Sequence, residues 1–373
     1  MKTLYTKRLI IRDFTMDDLT DFNQYCSVQG VGEMAGWSTH KSLDESKEIL
    51  SRFVKEGHTY CLELKQTGKV IGSIGIEERN NEISQNLQQD GVCGKVVEIG
   101  YVLAKDHWNC GLMTEAVTAV VESCFCDLHV DHVMVGHFPF NVASKRVIEK
   151  TGFKYIKTLK NIYPIFDGQK LDVCLYSQSA FDFFQPRLAH FDKAVALVGM
   201  CGSGKSVLTE MFEQLGWSKV YFGGVTVSQL KKEGLEINEA NERAMREGLR
   251  KKYGMGAFAV LLVDEIKEKL AQGSLVLDGL YSWSEFTHLE KALDGKILLC
   301  AVVTNRGLRY QRLASRTFRP LTNQQATSRD FSEIENLEKG GPIACADYYV
   351  DNNGTYDDFR HNFYGFLAYL LKN

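Results

Sequence analysis

The sequence predicts an α/β protein of two domains in series, the second built on a parallel sheet. Three observations carry this. The first half alternates short strands and helices up to the stretch "KLDVCLYSQ" (170–178), whose alternation suits a closing strand. "AVALVGM" (194–200) is a continuous apolar run ending in glycine, the pattern of a strand buried on both faces. Between them, "SQSAFDFFQPRLAHFDK" (177–193) is a composition break holding Pro186, in a chain with only 5 prolines. The expected division is a first domain over 1–180, a linker over 181–192 packed through its aromatic residues, and a second domain over 193–373. A chain of 373 residues is long enough for both cores.

The elements follow in order. "RLIIRDF" (8–14) reads as a strand, then "MDDLTDFNQYCS" (16–27) and "SLDESKEILSRFVKE" (42–56) as helices. "TYCLELKQTGKVIGSIGIEER" (59–79) is a hairpin turning at Thr67-Gly68. The polar run 80–95 is a loop. "VVEIGYVL" (96–103) is a strand, "LMTEAVTAVVESCFCDL" (112–128) a helix, "HVMVGHF" (132–138) a strand, "NVASKRVIEKTG" (141–152) a helix and "FKYIKTL" (153–159) a strand. The second half opens strand, glycine loop, helix and continues as α/β.

Composition narrows the function. A formal net charge of −3 argues against a nucleic-acid binder. No run approaches the ~18 apolar residues of a membrane span, so no membrane partner is expected, and the start has no signal-peptide run. The 10 cysteines contain no CxxC pair and read as reduced thiols of a cytoplasmic protein rather than a zinc site.

In the first half, "VEIGYVLAKDHWNCGLMTEAVTAVV" (97–121) runs strand, loop, helix, with Gly111 at the helix start. Unpaired N–H groups and the positive end of the helix dipole favour an anion there, and glycine lets a pyrophosphate reach the backbone. Read alone, the stretch is equally a packed turn. The order of elements decides: "YTKRLIIRDFTMDD", "GKVIGSIGI", "EIGYVLAKDHWNCGLMTEAV", "NVASKRVIEKTGFKYI" and "DGQKLDVCLYS" together resemble the GNAT superfamily, and within it the RimJ/RimL-type N-acetyltransferases. The resemblance implies a mixed sheet in which strands 97–103 and 132–138 splay apart. It implies acetyl-CoA as donor, its pyrophosphate on the loop Trp108, Asn109, Cys110, Gly111, Leu112 and Met113, with Asn141 contacting the cofactor. It implies a small-molecule or protein amine as acceptor.

Two departures stand out. The family loop usually carries Gly-Lys before its central glycine, where this chain has Asn109 and Cys110. Many relatives have a tyrosine acid at the position of Ile148; the resemblance to RimJ/RimL-type enzymes implies Ser144 as the acid instead. An attacking amine also needs a base; Glu98 is the first candidate and Glu115 the second, each equally able to be a structural carboxylate. His107 and Tyr101 are cleft candidates that read more simply as packing.

In the second half, Gly199, Gly204, Lys205 and Ser206 fit G-x-x-x-x-G-K-[ST] between a buried strand and a helix. Amides from Gly202, Ser203, Gly204, Lys205, Ser206 and Val207 would cradle phosphate. Lys205 would reach the β/γ-phosphates and Ser206 would ligate Mg²⁺. "SLVLDGLYSWSE" ends a second buried strand at Asp278, a second candidate for the metal. Arg243, Arg246 and Arg250 share a helix face at ~100° per residue. Arg309, Arg312, Arg316 and Arg319 are read as one face of a helix that Pro320 ends. The guanidinium fork suits phosphate, although such faces are also found simply solvated.

"GMCGSGKSVLTE", "ANERAMREGLRKKYGMGAFA", "VLDGLYSWSE", "RLASRTFRPLTNQQATSRDFSEIE" and "GGPIACADYYVDNNGT" resemble the P-loop nucleotide-kinase-like group that includes dephospho-CoA kinase. The resemblance implies ATP as donor, an acceptor segment over 225–260, a lid over 306–340, and Asn352 and Gly354 near the adenine. The reading is a bifunctional chain, an acetyltransferase fused to a kinase. Arg243, Arg246 and Arg250 would hold an acceptor already carrying phosphate, while Arg312, Arg316 and Arg319 face the transferred group. The rivals are a chain whose kinase end makes the CoA that its acetyl end uses, and an acetyltransferase with a non-catalytic ATP-binding module.

Overall fold

A computed structural model of the protein describes residues 1–78, 87–165, 167–317 and 319–373. The chain divides into two compact units, Met1–Phe183 and Phe184–Asn373. The division falls inside a helix, Ala180–Arg187.

The first unit is a mixed sheet in the order β1-β2-β3-β4-β5-β6-β8-β7. Its strands are β1 (Leu4–Tyr5), β2 (Leu9–Asp13), β3 (Thr59–Leu64), β4 (Lys69–Glu78), β5 (Val96–Leu103), β6 (His132–His137), β7 (Lys154–Pro164) and β8 (Lys170–Ser179). The expected hairpin is β3–β4, and Gly68 takes φ 69 at its turn. Part of the polar loop expected over 80–95 lies outside the described residues. β5 and β6 are the parallel pair. Their ladder runs from Val96 opposite His132 to Ile99 opposite Val135. Beyond it β5 keeps to β4 and β6 to β8, which is the expected splay. Helix Leu112–Cys126, buried along Leu112, Ala116, Val120 and Cys124, follows β5 and starts at the splay.

The second unit is an all-parallel sheet, β10-β11-β9-β12-β13. The strands are β9 (Ala194–Val198), β10 (Ser218–Tyr221), β11 (Leu275–Asp278), β12 (Ile297–Val303) and β13 (Tyr348–Asp351). β9 is buried at every residue, as its unbroken apolar run requires. It is central, so the glycine loop that follows it leaves the sheet at its carboxyl edge, between β11 and β12, where open α/β sheets bind ligands.

One expected element differs. The lid helix spans Arg306–Ser315 and stops five residues before Pro320. Leu321 N–H returns to Leu313 O at 3.0 Å and doubles the chain back. Arg316 is extended backbone and Arg319 sits at φ 50. Neither continues the helical face of Arg309 and Arg312.

Candidate functional site

In the first unit, one cleft of about 1460 Å³ collects Glu98, Tyr101, His107, Gly111, Asn141 and Ser144. Gly111, at φ 73, ends the loop and caps helix Leu112–Cys126. A Cβ there would have a single near neighbour, Arg8 Nη2 at 3.6 Å, so the helix start is open to a ligand. Asn109 takes φ 58, a left-handed conformation that asparagine adopts more readily than most residues. That explains how the loop keeps its course without the family's glycine. Trp108 contributes backbone to the loop, its indole donating to Leu103 O at 2.7 Å and packing on the core. Leu112 and Met113 bury their side chains. Cys110 is exposed, and its carbonyl accepts from Arg8 Nη1 at 2.8 Å.

Arg8 escaped sequence reasoning. Its guanidinium stands beside the loop where the family's lysine is missing, and it also donates to Glu115 Oε2 at 2.7 Å. Glu115 accepts further from Arg8 N–H at 2.7 Å and Thr6 Oγ1 at 2.6 Å. Burial opposes its charge, but these donors outweigh burial and hold the carboxyl below its ordinary range. Glu115 is therefore a poor base and a strut between the β1–β2 connection and the helix. No spacing rule links residues so far apart in sequence.

Glu98 is half-buried in β5, directly opposite Glu77 in β4. Both side chains line the cleft. Asn141 is committed at both ends: Oδ1 caps helix Val142–Lys150 by accepting Ser144 N–H at 3.0 Å, and Nδ2 donates to Met34 O at 3.0 Å. Ser144 Oγ lies 2.9 Å from Tyr101 Oη. Burial pushes the Tyr101 phenol up to about 12, so it keeps its proton. Tyr101 is thus hydrogen-bonded as well as packed.

In the second unit, Gly199, Gly202 and Gly204 all take positive φ. At Gly204 a Cβ would stand 2.2 Å from Asn352 Nδ2, so only glycine fits. Lys205 Nζ donates to Gly199 O at 2.7 Å and Met200 O at 3.1 Å. Burial, then the nearby Lys339 ammonium, lowers Lys205 to about 7. Ser206 is exposed in the first helical turn, and Val207 N–H returns to Gly204 O at 3.1 Å. Asp278 ends β11 beside Leu197 of β9; burial raises its carboxyl and Lys205 opposes the shift. Asn352 donates to Ser203 O at 2.8 Å, acting as a strut of the loop. Gly354 precedes the Thr355 cap of the last helix, and a Cβ there would meet Asp358 Oδ2 at 2.5 Å.

Two buried polar atoms near the loop, Ser203 Oγ and Arg312 Nη1, have no hydrogen-bond partner among the described residues. Arg312 Nη2 reaches Asn352 Oδ1 at 3.3 Å. Unmet donors of this kind fit phosphate oxygens. The chain offers Mg²⁺ only Ser206 and Asp278 of the expected ligands, so phosphate oxygens would complete that shell. Arg309 belongs to the structure rather than to a ligand face. It is buried, doubly bonded to Asp330 at 2.9 and 2.6 Å, and donates to Cys201 O at 3.0 Å. Arg316 Nε donates to Arg319 O, and Arg319 lies 3.7 Å from Glu242. Arg250 is half-buried against the Phe258 ring, its Nε unpartnered among the described residues; burial lowers its pKa and the charge of the buried Glu285 opposes that shift. Arg246 pairs with Glu242 at 3.4 Å, while Arg243 is exposed and pairs with Glu247.

Comparison with known proteins finds relatives of each half. The acetyltransferase (GNAT) domain family matches over residues 8–154. A UPF0200 protein of Methanococcus maripaludis is 31% identical over 183 residues, covering 48% of this chain and 98% of the relative. One from Thermococcus gammatolerans is 34% identical over 170 residues, 44% of this chain and 89% of the relative. These matches fall in the C-terminal half. Among solved structures, a GNAT-family acetyltransferase from Bacillus anthracis is 19% identical with a TM-score of 0.41, covering 48% of this chain and 98% of its own. A GNAT domain implies acetyl-CoA binding. Among the described residues no helix is long and apolar enough to cross a membrane.

Proposed function

Since the chain belongs, through its C-terminal half, to the UPF0200 family and carries an acetyltransferase (GNAT) domain in its N-terminal half, we propose that it is a bifunctional enzyme. One activity transfers acetyl from acetyl-CoA to a primary amine of a small molecule or protein. The other transfers phosphate from ATP to a small acceptor that already carries phosphate.

The observation that carries the first activity is the convergence of Glu98, Glu77 and the Tyr101–Ser144 pair on one cleft. Acetyl-CoA supplies the thioester carbonyl and the thiolate leaving group. The amine enters beside Glu98, which takes its proton so that the nitrogen lone pair is free. Ser144 delivers its proton to the leaving thiolate, Tyr101 replaces it, and the second proton shed by the acylated nitrogen returns to Tyr101 through solvent. The amides of 109–113 and Arg8 hold the pyrophosphate.

The second activity rests on Lys205, Ser203 and Arg312 around the glycine loop. Those groups hold the triphosphate, with Mg²⁺ on Ser206 and Asp278. Arg312, Arg316 and Arg319 serve the transferred end. Arg246 and Arg250 hold the acceptor's phosphate; Arg243, on the solvent side, contributes charge alone. Catalysis of this class is positioning and electrostatic stabilisation.

A thermal-shift screen tests both readings, because a ligand that binds the folded state raises its stability. Acetyl-CoA and ATP–Mg²⁺ should each raise the melting temperature, as should one member of a panel of dephospho-CoA and nucleoside monophosphates. Stabilisation by ATP with no phosphoryl transfer to any acceptor would favour the rival reading, a non-catalytic nucleotide-binding module.

A further inference from the structure

Glu333, on helix Asn323–Glu335, is 4% exposed, and Lys339 is 1% exposed. Glu333 Oε2 accepts from Cys201 N–H of the glycine loop at 3.1 Å and from Lys339 Nζ at 2.9 Å. Its Oε1 accepts from Arg329 Nε at 3.2 Å. One turn earlier on the same helix, Asp330 holds Arg309, which donates to Cys201 O. Cys201 is therefore held at its N–H by Glu333 directly and at its C=O by Arg309, which Asp330 fixes from the same face of the Glu333 helix, at i and i+3. Burial opposes the charge of Glu333, and Lys339 and Arg329 outweigh it, so the group is a carboxylate.

A carboxylate accepting a glycine-loop amide and two cations has the electrostatics of a bound phosphate oxygen. Lys339 is also close enough to Lys205 to depress it. Glu333 thus lies between Arg329 and Lys339, beside the glycine loop that carries Lys205. A buried ion pair is a weak source of stability, because desolvation offsets most of its attraction. Such a pair is better explained by what it does to a ligand.

We propose that Glu333 is an internal stand-in for a nucleoside triphosphate's terminal phosphate. On binding, a phosphate oxygen takes the place of its carboxylate, and Lys339 and Arg329 become phosphate ligands. The proposal rests on the reading of the second unit as an ATP site and adds two ligands and a competitor to it. Affinity for triphosphate is reduced by the fraction of molecules in which Glu333 occupies the loop.

The test is calorimetric titration of the full chain with ATP–Mg²⁺, and separately with inorganic tripolyphosphate. Five proteins are compared: wild type, Glu333→Gln, Lys339→Met, the double variant and the control Glu335→Gln. Glu333→Gln should bind both probes at least about tenfold more tightly, the gain for a competitor present in about nine molecules in ten. Lys339→Met should bind both at least about tenfold more weakly. Glu335→Gln, an exposed carboxylate on the same helix, should match wild type and exclude a general charge effect. If Glu333→Gln does not fold, the double variant, which leaves neither charge buried alone, is compared with Lys339→Met and should bind more tightly. Wild-type binding with no gain on removing Glu333, or no loss on removing Lys339, would overturn the proposal and leave the ATP site standing. Failure of every variant to bind either probe would remove the ATP site and the proposal together.

Discussion

Tyr101 Oη and Ser144 Oγ lie 2.9 Å apart, joining the splayed strand β5 to the first turn of helix Val142–Lys150. Ile148 occupies the position where many GNAT relatives carry a tyrosine, and it is fully buried. A phenol nevertheless reaches the same cleft from the facing strand.

Tyr101→Phe should lower acetyl transfer on the order of 10²-fold, with little change in the KM for acetyl-CoA. Ser144→Ala should cost a similar factor, and the double variant little more, since the two act as a unit. Burial disfavours the phenolate, so the phenol stays protonated up to about 12 and wild-type activity should not fall through loss of this proton below that pH. The same shift has a stability consequence. Above about pH 10 the unfolded chain releases a proton that the folded chain keeps, so stability should fall from there through about 12. Additive losses in the two variants would separate the residues. Steady-state kinetics across pH provides the measurement.

Glu98→Gln should reduce turnover by about 10²–10⁴ at neutral pH. Activity should recover as pH rises, because the amine then loses its proton without help. Glu115→Gln should instead lower the melting temperature, since it disturbs the anchor formed with Arg8 and Thr6. A rate for Glu98→Gln that matches wild type across pH removes it from the base role.

Lys205, lowered to about 7, is largely neutral at about pH 8. Triphosphate oxygens favour the ammonium and raise its pKa, so ATP binding at that pH should take up close to one proton. At lower pH, where the ammonium is already formed, uptake should shrink. Calorimetry in buffers of different ionisation enthalpy reads this directly. Net proton release at about pH 8 would contradict it.

Arg316→Ala should depress phosphoryl transfer with little effect on ATP affinity; a transition-state arginine is worth ~10³ or more. Arg250→Ala should mainly raise the acceptor's KM, because it removes binding shared by ground and transition states. Wild-type kinetics in both, or turnover of unphosphorylated acceptors alone, would remove these arginines from the site.

Much of this was legible locally. The glycine loop lies within eight residues, and the buried strand before it is a single apolar run. The start of helix Leu112–Cys126 was marked by Gly111 for the same reason. What escaped is what only tertiary contact creates. Arg8 meets Glu115 across 107 positions, Cys201 meets Glu333 across 132, and Ser203 meets Asn352 across 149. Periodicity describes neighbours along a helix or strand and says nothing of such pairs. The lid arginines show the converse error. Their spacing fits a helix to Arg319, but the Leu321–Leu313 hydrogen bond ends it at Ser315, so Arg316 and Arg319 leave its face.

Two cofactor sites in one chain are the central expectation for this protein, and calorimetry tests it most directly. The full chain is titrated with acetyl-CoA, first alone and then at saturating ATP–Mg²⁺, and the reverse pair is run with ATP. The expected result is one site for each ligand, both filled together, with Lys205→Met abolishing the ATP site and leaving acetyl-CoA binding intact. Displacement of one ligand by the other, or acetyl-CoA binding lost in Lys205→Met, would contradict it.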